Sequence, residues 1–135
     1  MARVALRWLS RRLIDGPYLV LVLSEKDYHK VMAKFKVPAH SRGPWIASNS
    51  SDATTHVLQN QERGLGCIVA LRTREGLSGT QIAALLVHEA VHIFQEWCAV
   101  HGEKSPSSEF EAYSIQSISQ ELMDSYAEQA IGATK

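Results

Sequence analysis

The sequence predicts an α+β domain in which a three-stranded N-terminal sheet packs on two C-terminal helices. The chain has 135 residues, of which 45% are hydrophobic and 21% charged. This size and composition are typical of one globular domain, here residues 1–135. Apolar runs of strand length, bounded by turn residues, lie in the first half, whereas the second half carries two long helical segments with capping signals.

The N-terminal quarter is predicted to contain a helix, a strand and a second helix. Residues 2–14 could form a short helix or a strand, of which we favour the helix, and the segment ends at the turn signal over residues 15–17. Tyr18–Leu23 is an unbroken apolar run, typical of a buried strand. Ser24 is placed to cap the next helix, which stops before Pro38. The apolar face of that helix consists of Tyr28, Val31, Met32 and Phe35.

The middle of the chain is predicted to be a long loop followed by a β-hairpin. Residues 38–53 contain proline, glycine and a cluster of short polar side chains, which indicates a loop. Thr54–Gln59 and Gly66–Leu71 have strand-like composition, and the polar residues between them form the turn. Together with Tyr18–Leu23, these two segments complete a three-stranded sheet covered by one helix.

Two helices are predicted for the C-terminal half. Ser78 and Gln81 form a capping box, and Gly102 is a natural stop. Between Ile82 and Val100, fourteen of nineteen residues are apolar. Because these apolar residues occupy nearly every face, the helix is expected inside the domain. The second helix is expected to start at Ser105-Pro106 and to run to about residue 130.

Charge and cysteine content exclude several classes of protein. Fourteen basic residues balance fourteen acidic ones, so binding to a nucleic-acid backbone is not expected. The longest apolar run, Tyr18–Leu23, is too short to span a bilayer, and no signal-peptide cleavage site follows it. Cys67 and Cys98 cannot form a multi-bridge scaffold and are expected to be reduced. We therefore expect a cytoplasmic protein that binds neither nucleic acid nor membrane; the oligomeric state stays open.

The first C-terminal helix contains the sequence His88-Glu89-Ala90-Val91-His92, an HExxH motif. Histidines four residues apart share one helical face, about 6 Å apart along the axis, and can therefore bind one metal ion. Glu89 is rotated by about 100° from His88, which suits a base that acts on metal-bound water. Two neutral nitrogen ligands beside a carboxylate base are typical of zinc hydrolases.

The alternative interpretation is that these histidines are hydrogen-bonded core residues without a ligand. Against it, three titratable groups lie within an otherwise apolar run, and their burial without partners would cost several kcal/mol. A metal ion supplies the missing partner. We therefore favour a Zn²⁺ site that includes His88 and His92.

A third protein ligand is required, and the residues near the motif are poor candidates. The long metzincin motif would need a histidine at Cys98 and a glycine at Gln95. His101 falls on the opposite face of an unbroken helix. Glu96 shares the ligand face, but neighbours along one helical stripe rarely surround a tetrahedral ion.

The next helix carries Glu109-Phe110-Glu111-Ala112-Tyr113, and with it the chain resembles the gluzincin clan of zinc metallopeptidases. That clan pairs HExxH with E-x-x-A on a following helix, which matches Glu109-x-x-Ala112. The chain looks most like minigluzincins and phage-type metallopeptidases, and more distantly like ImmA/IrrE-like proteases. The resemblance covers about residues 80–130. It implies a zincin-like fold, Glu109 as third zinc ligand and Glu89 as general base.

Two positions depart from that pattern or compete with it. Many gluzincins have Asp or Asn where this chain has Tyr113. Its hydroxyl could bond a ligand histidine or donate to a developing oxyanion, or Tyr113 could be a half-buried aromatic residue. Glu111 competes with Glu109 for the metal, since two residues along a helix the two carboxylates point in nearly opposite directions.

The resemblance implies a zinc-dependent metallopeptidase that hydrolyses peptide bonds by metal-activated water, with Glu89 as general base and peptides or proteins as substrates. The alternatives are a catalytically silent zinc-binding interaction module and a regulatory protease that cleaves a repressor. The zinc interpretation also has a geometric consequence. Either the HExxH helix ends near Cys98, or the two helices cross steeply, because otherwise Glu109 falls short of the motif.

Overall fold

The computed structural model describes residues 6, 8–9, 16–60 and 64–132, so most of the helix predicted over 2–14 lies outside the described residues. Within these ranges, three strands and three helices of ten or more residues form the architecture. A 3₁₀ turn covers Ala39–Ser41, and a π-helical turn covers Ala127–Ile131. In chain order, the elements are β1 (Tyr18–Val22), α1 (Glu25–Lys34), β2 (Ala53–Asn60), β3 (Gly64–Leu71), α2 (Gly79–His101) and α3 (Ser108–Tyr126).

The three strands form one mixed sheet in the order β1-β3-β2. β2 and β3 are antiparallel and constitute the predicted hairpin, with Val57 opposite Cys67. β1 is parallel to β3, with Leu19 opposite Cys67. Within the described ranges β2 pairs with β3 alone, so β2 is an edge strand. The α+β class predicted from the sequence is confirmed.

The sheet separates two apolar layers, because alternate strand residues point to opposite faces. One layer lies between the sheet and α2 with α3, and the other lies between the sheet and α1. The α2/α3 layer includes Leu19, Leu21, Cys67, Val69, Leu86, Ile93 and Leu122. The α1 layer includes Val20, Val22, Ile68, Ala70, Tyr28, Val31 and Met32. The prediction that the sheet packs on the HExxH helix is confirmed.

α1 begins and ends where its sequence predicts. The Ser24 hydroxyl accepts a hydrogen bond from the Asp27 amide at 3.1 Å, which satisfies one of the free N–H groups at the helix start. Phe35 is the C-cap, and the chain leaves the helix before Pro38. Tyr28, Val31 and Met32 are buried on the face that the sequence predicted.

α2 has the predicted capping box but not the predicted burial on all sides. Ser78 and Gln81 exchange hydrogen bonds of 2.8 and 3.1 Å at its start. Gly102, with φ of 68°, ends it in the left-handed region that favours glycine. Val87 and Val100 are 38% and 39% exposed, so the expectation of an interior helix is wrong. α2 packs mainly on the sheet and on α3, and small apolar residues such as Ala84 and Ala99 face outward on the remaining side.

α3 starts later than the sequence predicted. The Ser107 hydroxyl accepts a hydrogen bond from the Phe110 amide, so Ser107 is the N-cap and Pro106 precedes the helix. The predicted start at Ser105-Pro106 is therefore wrong by two residues. At the other end the helical backbone continues to Ile131, as expected. None of the described helices is both long and apolar enough to cross a membrane.

Candidate metal centre

His88 and His92 lie on successive turns of α2 and are both exposed. The expectation that both histidines are buried, and therefore need a partner, is wrong; of the three titratable groups only Glu89 is buried. Their Nε2 atoms are 3.0 Å apart, and their ring centroids are 4.7 Å apart at an interplanar angle of 79°. Two nitrogens bound to one tetrahedral zinc at about 2.05 Å would lie about 3.3 Å apart. The separation of 3.0 Å allows a hydrogen bond between the two imidazoles, and it is also close to the separation that a shared zinc ion would require.

Gln95 supports this pair from the next turn of the helix. Its Oε1 lies 3.1 Å from Nδ1 of His92. An amide oxygen only accepts hydrogen bonds, so this contact favours the tautomer of His92 with its proton on Nδ1. That tautomer leaves the Nε2 lone pair available to a metal, which is the arrangement that ligand histidines commonly show.

Glu89 points away from the histidines and toward the sheet. It is 5% exposed. Its Oε2 accepts a hydrogen bond from the Thr55 hydroxyl of β2 at 2.5 Å. Thr55 was not predicted as a site residue. The alternation of β2 places one of Thr54 and Thr55 on the α2 face, but only the strand register decides which one.

The residues predicted to complete the site lie at the start of α3. Glu109 and Glu111 are both exposed in its first turn. In the part of the chain that the structure describes, no group of three or more His, Cys, Asp or Glu side chains is arranged to hold a metal ion. The structure thus brings His88 and His92 together, and does not group either glutamate with them. The assignment of Glu109 as third ligand stays a prediction.

The α2–α3 connection determines where the first turn of α3 lies. α2 runs to His101, as the stop at Gly102 predicts, so the first of the two geometries that the zinc interpretation allows, an end near Cys98, does not occur. Its last turn is supported by a stacked contact between Trp97 and His101, whose ring centroids are 4.2 Å apart. Phe110 then packs against Phe94 and Trp97, with ring centroids 5.7 Å apart in both pairs, which seats the first turn of α3 beside the C-terminal part of α2.

Tyr113 is 64% exposed on α3 and is therefore not the half-buried aromatic residue of one interpretation.

The two cysteines are free, as predicted, and both are buried. Burial, with a smaller contribution from Glu96, raises the pKa of the Cys67 thiol to about 12. The pKa of Cys98 is also raised, by burial first and then by Glu103 and Glu111. Neither thiol is disposed to act as a thiolate ligand at neutral pH.

In comparisons with protein-family models, curated proteins and solved structures, none matches this chain. The resemblance to gluzincins therefore depends on two motifs, the HExxH of α2 and Glu109-x-x-Ala112 of α3. The chemistry of the donor set is independent of that resemblance, because it follows from the positions of His88 and His92.

Proposed function

We propose that the protein is a zinc-dependent metallopeptidase. The observation that carries the proposal is the short distance between the Nε2 atoms of His88 and His92, 3.0 Å apart on an exposed stripe of α2. Two exposed imidazoles with their Nε2 atoms this close, and a carboxylate one residue along the helix, suit a hydrolytic metal site better than a packed core.

Each residue has a role in this proposal. His88 and His92 would hold zinc through Nε2, and the gluzincin-like motif nominates Glu109 as the third ligand. When bound, zinc supplies a Lewis acid that lowers the pKa of water and polarises a carbonyl. Glu89 would take a proton from the attacking water and pass it to the leaving amine. Thr55 engages Oε2 of Glu89, which leaves Oε1 to carry that proton.

The edge strand supports a peptide as the substrate. β2 pairs with β3 along one side, and in the described structure its other side carries no strand. Thr55 contacts Glu89 directly, so the open edge of β2 runs past the motif. An extended peptide could add to that edge through main-chain hydrogen bonds. Such a peptide would lie beside α2, close to the proposed base.

A second candidate is a zinc-binding interaction module that does not cleave peptides. The burial of Glu89, 5% exposed and bonded to Thr55, favours this candidate, since a base must reach the attacking water. The exposed histidine pair would then bind metal with only a structural role. The two candidates differ in whether the zinc-loaded protein cleaves peptides and whether that cleavage requires Glu89.

Metal content is the first test of the zinc site. Purified wild-type protein, Glu89→Gln, Glu109→Gln and Glu111→Gln should be compared by elemental analysis after metal-replete purification. We expect about one zinc per chain in wild type, Glu89→Gln and Glu111→Gln, and a marked loss in Glu109→Gln. Glu111→Gln is the matched control, since it makes the same change two residues further along α3. A wild-type protein without zinc would overturn the site.

Peptide cleavage then separates the two candidates. The zinc-loaded wild type should cleave members of a peptide library, and Glu89→Gln should retain zinc but lose cleavage. Loss of activity by a factor of 100 or more is expected on the order of general-base contributions. Equal cleavage by both proteins would show that Glu89 is not the base. No cleavage by either, with zinc bound in both, would favour the interaction module.

A further inference from the structure

A cavity of about 450 Å³ opens where α2 ends, the connection turns and α3 begins. Its wall is partly apolar, from Phe94, Ala99 and Pro106. Charged side chains also line it, namely Glu103, Lys104 and Glu111. Cavities of this size and mixed lining are typical of sites for small ligands or single side chains. No role in the proposed reaction has yet been assigned to this cavity.

The cavity continues the same stripe of α2 that carries the histidine pair. Gln95 both bonds Nδ1 of His92 and lines the cavity. Ala99, seven residues after His92, follows on that stripe, about 10 Å along the helix axis. An extended peptide covers this distance in about three residues. A substrate bound at the histidines can therefore place a side chain in the cavity.

Negative charge predominates at the cavity. The negative charges of Glu103 and Glu111 both raise the pKa of Cys98, which contributes to the cavity wall. The described structure pairs neither carboxylate with a basic side chain. Lys104 supplies one positive charge, so the three charged side chains sum to −1. An apolar wall beside unpaired carboxylates matches a basic side chain. The aliphatic stem of such a side chain can pack on the wall while its charged end lies near Glu103 and Glu111.

We propose that this cavity binds a lysine or arginine side chain of the peptide substrate, about three residues from the bond that is cut. The assignment of the occupant to a substrate rests on the proposed peptidase function. The preference of the cavity for a cation over an apolar side chain does not rest on that function, and it can be measured without turnover. Phe94, Ala99 and Pro106 would contact the stem, and Glu103 and Glu111 would attract the charge.

The test is a titration of the full chain, with and without added zinc, monitored by ¹H–¹⁵N NMR. The probes are N-acetyl-lysine methylamide and N-acetyl-norleucine methylamide, which share the stem and differ in the ammonium group. The lysine probe should shift the amides of Ala99, Gly102 and Glu103, and the norleucine probe should bind at least about threefold more weakly. Equal affinities, or shifts confined to other parts of the protein, would overturn the proposal.

Charge variants test whether the affinity for the lysine probe follows the charge of the cavity. Glu103→Gln should weaken binding of the lysine probe about threefold, and the Glu103→Gln/Glu111→Gln double variant should weaken it further. Lys104→Gln should tighten it, because a repulsive charge is removed. Glu75→Gln is the matched control on an exposed loop before α2 and should change nothing. Variants that all bind the lysine probe equally would overturn the assignment.

Cleavage assays distinguish failure of this inference from failure of the proposed function. Peptides with lysine or norleucine three residues from the cleaved bond should be offered to the zinc-loaded wild type. Cleavage without preference for lysine would overturn the cavity assignment and support the peptidase. Lysine-selective binding with no cleavage of any peptide would support the cavity as a cation-binding site and contradict the peptidase.

Discussion

Thr55 on the edge strand β2 donates a hydrogen bond to Glu89 on α2, with Oγ1 and Oε2 2.5 Å apart. The two residues are 34 positions apart in the chain. Their bond joins the motif helix to the sheet at the one buried carboxylate of α2. Because a buried carboxylate is costly without a partner, this contact has consequences for both stability and the orientation of Glu89.

Replacing Thr55 by valine removes the donor while it retains the branched shape of the side chain. Glu89 would keep its burial and lose this hydrogen bond, so we expect the free energy of unfolding to fall by about 1–3 kcal/mol. Urea denaturation measures the change. Thr55→Ser keeps the hydroxyl and should recover most of the loss, whereas equal stability of wild type and Thr55→Val would show that the bond contributes nothing.

Replacing Gln95 by alanine should weaken zinc binding without removing a ligand. Gln95 holds Nδ1 of His92 at 3.1 Å, and loss of such a supporting contact typically lowers metal affinity 10–100-fold. Competition with a chromophoric chelator measures the affinity. Gln116→Ala, on the exposed side of α3, is the control and should bind zinc as the wild type does. The same zinc affinity in both variants would show that Gln95 does not support zinc binding by His92.

Gly66 lies where β3 passes under the ring of Phe35. A Cβ atom at this position would be 2.8 Å from Cε1 and Cζ of that ring, so the ring or the strand must shift. Gly66→Ala should therefore lower the free energy of unfolding by about 1–3 kcal/mol. The Gly66→Ala/Phe35→Leu double variant should lose less than the two single variants summed, because the clash is shared. Additive losses would exclude this contact as the cause.

Cys67 should be protected from thiol reagents in the native protein. Its pKa is raised to about 12, so at pH 8 only about one thiol in ten thousand is ionised. The Cys98→Ser variant retains Cys67 as its one thiol and should react very slowly until urea unfolds it. Reaction rates should then rise to those of a free cysteine. A fast reaction of the folded variant would contradict the burial of Cys67.

The elements that were predicted well depend on short stretches of sequence. The Ser24 cap, the hairpin and the Ser78–Gln81 capping box each involve residues that are close along the chain. Local hydrogen bonds and the alternation of side chains determine such features, so the identities of neighbouring residues are sufficient to predict them. The strand order β1-β3-β2 was not predicted, since it places β1 beside a strand more than forty residues later.

The two errors have different causes. The apolar composition of α2 predicted burial on all sides, but alanine and valine are tolerated at the surface, and α2 has packing partners on only part of its circumference. The start of α3 was placed at Ser105-Pro106 because proline suits the first turn. Ser107 instead provides the capping hydroxyl, and the helix begins after it.

For the candidate site, helical periodicity alone determined that His88 and His92 share a face and that Glu89 is turned away from them. Only the tertiary structure decided that this face is exposed, that Glu89 contacts Thr55 and that, among the described residues, no third His, Cys, Asp or Glu is arranged with the pair to hold a metal. The reason is physical. Spacing along one helix follows from its backbone geometry, whereas contacts between elements depend on strand register, on the packing of side chains and on where a connecting loop turns.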